Sequence, residues 1–118
     1  MASRAVLRAR ALDDRLPLTE RVLACVELIP RGRVMAYSDV AEFVHTRAAR
    51  NVGRILATEG EGVPWWRVLR ADGSCAPHIR AEQLQLLAAE GVPLRAERAD
   101  RAERADRVDL AAARWDGR

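Results

Sequence analysis

The sequence predicts a mainly α fold with a helix-turn-helix-like centre. Apolar residues recur at helical spacing in four segments, beginning near Leu18, Ser38, Arg47 and Ile79. Extended stretches are short and bounded by glycine-containing turns. The second and third helical segments are joined by a tight connection at His45-Thr46.

Met1 to Pro17 carries mixed charge and reads as a loose arm. The first helix enters at Leu18-Thr19-Glu20 with Thr19 as N-cap, buries Val22, Leu23, Val26 and Ile29, and stops at Pro30. Cys25 inside it reads as a small core hydrophobe. Arg31-Gly32-Arg33 turns the chain, and Val34-Met35-Ala36-Tyr37 is extended. Ser38 is the expected N-cap of a short helix whose buried face is Val40, Ala41, Phe43 and Val44 and which ends near His45. Thr46 is the expected cap of the next helix.

That helix, Arg47 to Thr58, separates its two faces. Arg47, Arg50, Asn51, Arg54 and Thr58 follow i, i+3, i+4, i+7, i+11 on one side, and Ala48, Ala49, Val52, Ile55 and Leu56 fill the other. Two arginines fall in the first turn, against a helix dipole that makes a cation there cost roughly 0.3–1 kcal/mol. An anionic partner such as phosphate would remove the conflict; an ordinary solvated face is the alternative.

Between Gly60-Glu61-Gly62 and Ala71-Asp72-Gly73 lies Val63-Pro64-Trp65-Trp66-Arg67-Val68-Leu69, read as a short extended piece stiffened by Pro64. Neighbours on an extended chain face opposite ways. One tryptophan can then enter the core while the other lines a surface or pocket; alternatively both are packing residues. Ile79 to Glu90 is the last regular helix, with Leu84, Leu87 and Ala88 inward. Gly91 is placed at C′ of a Schellman ending with Val92 against Leu87 and Pro93 beyond. From Arg95 the unit Arg-Ala-Glu-Arg-Ala-Asp occurs twice in tandem, over 95–100 and 101–106. Glu97–Arg101, Asp100–Arg104 and Glu103–Arg107 pair at i,i+4 without a sustained apolar stripe. A charged helical or disordered C-terminal tail is expected over 95–118, in which Trp115 docks back or meets a partner.

The 118 residues thus divide into an arm (1–17), one domain (18–94) and a charged repeat tail (95–118). All 20 basic residues are arginine, a side chain suited to phosphates and bases, but 17 acidic residues leave a net charge of only +3. The two cysteines and two histidines form no zinc or disulfide pattern, so no metal and no cofactor is expected. No apolar run reaches membrane length and the N-terminus lacks a secretory h-region, so no membrane association is expected. The expected location is cytoplasmic, nucleoid-associated if the source is bacterial.

The assembled residues resemble the DNA-binding C-terminal domain of O6-alkylguanine-DNA alkyltransferases. The likeness runs from about Leu18 to Val92. It rests on four blocks in order: Gly32-Arg33-Val34-Met35-Ala36-Tyr37-Ser38-Asp39-Val40-Ala41, Ala48-Ala49-Arg50-Asn51-Val52-Gly53, Pro64-Trp65-Trp66-Arg67-Val68 and Leu86-Leu87-Ala88-Ala89-Glu90-Gly91-Val92. It implies a winged helix-turn-helix-like DNA-binding domain. Active enzymes of that family have Pro-Cys-His-Arg-Val in the third block, the Cys accepting the alkyl group. Here Trp65 holds the nucleophile position and Trp66 the base position, and an indole offers no lone pair for displacement. That departure is the mark of the alkyltransferase-like proteins, which bind O6-alkylguanine without repairing it and flag it for nucleotide excision repair. No catalytic residue and no alkyltransferase activity are therefore expected.

The resemblance also implies roles. Arg50 matches the finger that fills the stack vacated by a flipped base. Tyr37 matches the residue that turns the target phosphate. Ala48 and Ala49 match the small residues that let the helix lie close in the minor groove. With Ser38, Arg47, Asn51 and Arg54 these form the expected DNA-binding set. The lesion pocket is expected from Tyr37, Val63, Pro64, Trp65, Arg67 and His78, with Trp65 as floor and wide tolerance of adduct size. The loop from Ser74 to His78 is its other wall, where His78 or Arg80 meets the substituent. Arg67 serves either the pocket or the structure. Glu90, which orients the catalytic His in active enzymes, has lost that task. The stretch from Gly53 to Trp65 is shorter than in those enzymes and lacks their Asn. The implied partners are double-stranded DNA with O6-alkylguanine lesions and nucleotide excision repair proteins, and the chain is expected to be a monomer. The rival readings are a helix-turn-helix regulator without lesion specificity, an enzyme using Cys75, and a protein-interaction module.

Overall fold

Residues 2–95 and 107–118 are described by the computed structural model. Each expected i,i+4 pair of the repeat has at least one member outside the described residues. Helix α1 (Arg4–Leu12) is capped by Ser3, whose Oγ accepts from Val6 N–H at 3.2 Å. Leu7 and Ala11, one turn apart, bury against helix α2 (Leu18–Leu28). The arm expected over 1–17 is therefore part of the core. The reason is long-range: Arg4 donates to Leu28 O, and Arg8 donates to Gly117 O and Arg118 O, all at 3.0 Å.

The N-cap of α2 is Pro17 rather than Thr19; Arg21 N–H donates to Pro17 O, and proline's missing N–H costs nothing at a helix entry. Its buried residues Val22, Ala24, Cys25, Val26 and Leu28 form the centre of the larger core. Strand β1 (Met35–Ala36) pairs in parallel with β2 (Val68–Leu69), Met35 opposite Val68 and Ala36 opposite Leu69. Helix α3 (Tyr37–Phe43) follows at once. Its N-cap is Ala36, not Ser38, because Asp39 Oδ2 accepts from Ala36 N–H at 2.9 Å.

Helix α4 (Ala49–Glu59) lies beyond a turn in which His45 takes a left-handed φ of 60°. Thr46 acts just outside the helix, its Oγ1 accepting from Ala48 N–H at 3.3 Å, and Ala48 is the N-cap. The helix-turn-helix-like centre is thus present within a mainly helical fold. Helix α5 (Arg80–Ala89) ends as expected: Gly91 has φ 75°, its N–H donates to Ala88 O, and Val92 N–H donates to Leu87 O.

The chain end differs from the solvated tail expected over 95–118. Val108, Ala113 and Trp115 are buried, and a short helix α6 (Leu110–Ala113) lies between them. Val34 bridges Arg114 in parallel, with Trp115 N–H donating to Val34 O at 2.8 Å; Leu94 bridges Val108 in antiparallel fashion. Trp115 docks back, stacked on Phe43 at 6.0 Å between centroids. A smaller core of Val34, Leu69, Cys75, Leu87, Val92, Val108 and Ala113 closes beneath this segment. Gly73 permits the approach: a Cβ there would lie 2.5 Å from Val108 O. The apolar residues Val108, Ala113 and Trp115 bring the end into the domain.

Candidate nucleic-acid interface

Helix α4 presents one face to solvent. Arg47, Arg50, Arg54 and Thr58 are exposed and Asn51 is partly so, while Val52 is buried and Ile55 and Leu56 pack against the larger core. Because the helix starts at Ala49, Arg47 precedes the N-cap and only Arg50 lies in the first turn, which holds no acidic residue. Arg54 donates to Asn51 Oδ1, and Thr58 Oγ1 donates back to Arg54 O. Among the described residues neither Arg47 nor Arg50 has a carboxylate partner. The result is an unneutralised cationic stripe beside a helix N-terminus, a geometry that favours phosphate.

A pocket of about 450 Å³ opens alongside, lined by Tyr37, Gly53, Leu56, Ala57, Glu61, Trp65, Ala76, His78 and Ile79. Tyr37 is the first residue of α3, its ring about 3.8 Å from where a Cβ on Gly53 would stand. Burial pushes its phenol above the ordinary value, with Arg70 opposing, so the hydroxyl stays protonated and able to donate.

Trp65 is set by a knot behind it. Residues Trp65–Arg67 form a 3-10 turn, not the extended piece the pattern predicts, after Pro64 at φ −73° and ψ 66°. Trp66 Nε1–H donates to Glu90 Oε2 at 2.8 Å. Arg67 Nε donates to Glu90 Oε1 at 3.0 Å, Arg67 Nη2 to Glu90 Oε2 at 2.8 Å, and Arg67 Nη1 to Ile29 O at 2.8 Å. Gly32 N–H donates to Glu90 Oε1 at 3.0 Å, and buried Gln83 donates through Nε2 to Trp66 O and Val68 O. Arg67 also lies 5.6 Å over the Trp66 ring. Burial works to raise the Glu90 pKa, but hydrogen bonds from Arg67, Gly32 and Trp66, with the Arg67 charge, outweigh it and hold the carboxyl below its usual range. The Trp65 ring meets Trp66 edge-on at 84° and faces the pocket.

Of the expected pocket residues, Tyr37, Trp65 and His78 line the cavity; Val63, Pro64 and Arg67 do not. Arg67 is turned away by Glu90, and Val63 packs against the larger core. Glu90 has exchanged one task for another, since it holds the Trp66 indole and the Arg67 fork. Ala76 and His78 bring the expected Ser74–His78 loop into the wall, whereas Gly53, Leu56, Ala57, Glu61 and Ile79 were not foreseen there. The i, i+3, i+4 spacing of Gly53, Leu56 and Ala57, between the polar and buried faces of α4, was the available signal. Neither cysteine lines the pocket. Cys75 is buried in the smaller core, and burial pushes the Cys25 thiol up to about 12. Among the described residues no group of three or more His, Cys, Asp or Glu side chains could hold a metal, and no helix is long and apolar enough to cross a membrane.

Comparison with known proteins places this geometry. A family profile described as the 6-O-methylguanine DNA methyltransferase DNA binding domain matches residues 17–92. A curated relative, a DNA base-flipping protein of Vibrio parahaemolyticus serotype O3:K6 (strain AQ3810), is 34% identical over 77 residues, which cover 61% of this chain and 77% of the relative. The fold is similar to that of S. pombe Atl1, solved in complex with damaged DNA containing O6-carboxymethylguanine. The TM-score is 0.55 at 25% identity, over 80% of this chain and 82% of that one.

Proposed function

The chain belongs to the family of the 6-O-methylguanine DNA methyltransferase DNA-binding domain, as an alkyltransferase-like protein, and from that premise we propose that it binds duplex DNA carrying O6-alkylguanine without transferring the alkyl group. The observation that carries this reading is the pocket of about 450 Å³ with Trp65 facing into it beside the cationic stripe of α4. Its apolar walls and aromatic face suit an alkylated base, and base–aromatic stacking is worth about 1–3 kcal/mol. The base reaches it by leaving the duplex, which costs a few kcal/mol. Arg50 enters the vacated stack, Tyr37 meets the phosphate of the flipped nucleotide, and Ala48 and Ala49 allow close approach to the groove. Arg47 and Arg54 add phosphate contacts.

Chemistry stops at recognition. Alkyl transfer needs a thiolate or an equivalent lone pair within reach of the O6 substituent. Trp65 offers none, Trp66 Nε1 is committed to Glu90, and both thiols are buried away from the pocket. An alkylated base held but not repaired has to be excised by other proteins, which is the basis for assigning a flagging role in nucleotide excision repair. The test is a competition titration at fixed salt between duplexes identical except for O6-methylguanine or guanine, followed by mass measurement of the protein. Preference for the lesion with unchanged mass is the expected outcome. Equal binding to both duplexes would favour a helix-turn-helix regulator instead, and a gain of about 14 Da, one CH2, would mean transfer to a cysteine.

A further inference from the structure

We infer that Glu61 makes the pocket select on charge, favouring neutral O6 substituents that can donate a hydrogen bond over anionic ones. The inference rests on the lesion-binding reading above and specifies which lesions the site takes. Glu61 sits on the 3-10 turn Gly60–Gly62, is exposed, and lines the pocket. Among the described residues no hydrogen bond or ion pair holds its carboxylate, so its acceptor oxygens are available to whatever enters.

No arginine is part of the lining, although the Arg70 charge reaches Tyr37 from outside it. Leu56, Ala57, Ala76 and Ile79 are aliphatic, Gly53 has no side chain, and Trp65 offers a ring face. Tyr37 and His78 are the other polar side chains in the wall. The cations of α4 stand on its solvent face, and neither Arg47, Arg50 nor Arg54 lines the cavity. A carboxylate at the tip of an O6 substituent would meet like charge at Glu61. An amide or hydroxyl at the same point would donate to it. Two unit charges about 4 Å apart in a water-like medium repel enough to change affinity about fivefold. Glu61 is exposed, so about three- to tenfold is the expected range, weakening as salt rises.

The experiment compares three duplexes that differ at one base: guanine, O6-carbamoylmethylguanine and O6-carboxymethylguanine. The two adducts have the same shape and differ in charge. The unaltered protein should bind the carbamoylmethyl duplex best and the carboxymethyl duplex about three- to tenfold more weakly. Glu61→Gln, a surface change that leaves the fold intact, should bring the two adducts to within twofold by strengthening carboxymethyl binding. Equal binding of both adducts by the unaltered protein, each above guanine, would overturn the charge selection and leave the lesion-binding reading standing. Discrimination that survives in Glu61→Gln would overturn the assignment to Glu61. Adducts bound no better than guanine would overturn the lesion-binding reading and this inference with it.

Discussion

Trp65 and Trp66 are neighbours of the same chemistry in opposite circumstances. The Trp66 indole N–H is taken by Glu90, its carbonyl by Gln83, and one face by Arg67. Trp65 meets Trp66 edge-on and lines the cavity, with no hydrogen bond from its indole among the described residues. The difference separates what holds the molecule together from what it offers a ligand. The Trp66 indole nitrogen and both Glu90 carboxylate oxygens have partners, and burial makes those bonds costly to lose. In the pocket, Glu61 has no partner among the described residues and Trp65 stands in the wall, half-buried. A satisfied cluster reads as structure; an unsatisfied one beside a cavity reads as a site waiting for its partner.

The contrast is broken most severely at Glu90. The Arg67 and Glu90 side chains are 14% and 4% exposed, so Glu90→Ala leaves a guanidinium nearly buried and an indole N–H without its acceptor. Removing one partner of such a pair costs about 3–5 kcal/mol. Urea unfolding should show a loss of that size, and a loss below about 1 kcal/mol would mean the knot is not the structural half of the comparison. The pH dependence has a definite sign. Because the folded-state pKa of Glu90 is lowered from 4.5, its contribution is complete above that pH and is lost as pH falls through the folded value. Glu90→Gln should therefore unfold with less acid sensitivity than the unaltered protein.

Trp65→Ala sharpens the other half. It removes the aromatic face from the pocket while the Glu90 bonds remain, so the stability loss should be smaller than for Glu90→Ala. Affinity for an O6-methylguanine duplex should fall by about 1–3 kcal/mol with little change on a guanine duplex. Trp65→Phe should recover most of it. Equal losses on both duplexes would place Trp65 in general DNA contact rather than in lesion recognition.

Much of this arrangement was legible in the sequence, because it is local. The two faces of α4 follow from helical spacing, the α5 ending from Gly91 and Pro93, and the pairing of Tyr37, Trp65 and His78 in one pocket from the family resemblance. What escaped is what depends on distant partners. Trp65–Arg67 reads as extended from Pro64 and its valine neighbours, but the Arg67 fork must reach both Ile29 O and Glu90, and the backbone coils to allow it. Likewise α1 and the chain end each bury only a few apolar residues, Leu7 and Ala11 in one and Val108, Ala113 and Trp115 in the other. Beside that burial they are held by Arg4 over Trp115 and Arg8 over Phe43, and by Arg8 donating to carbonyls of the opposite terminus. Neither half of that clamp announces the other.

Arg50→Ala tests the comparison at its edge, where the cationic stripe meets the pocket. Arg50 is exposed and among the described residues has no carboxylate partner, so its removal should change stability by less than about 0.5 kcal/mol. If it enters the stack left by a flipped base, its loss should weaken lesion binding about tenfold and reduce the fluorescence of a 2-aminopurine placed beside the lesion. Arg47→Ala supplies the contrast. Removing a phosphate partner there should weaken guanine and O6-methylguanine duplexes alike and lower the salt dependence of binding by about one unit of slope. If the two variants behave identically, Arg50 belongs with the residues that bind phosphate, and the filling of the vacated stack has to be sought elsewhere on α4.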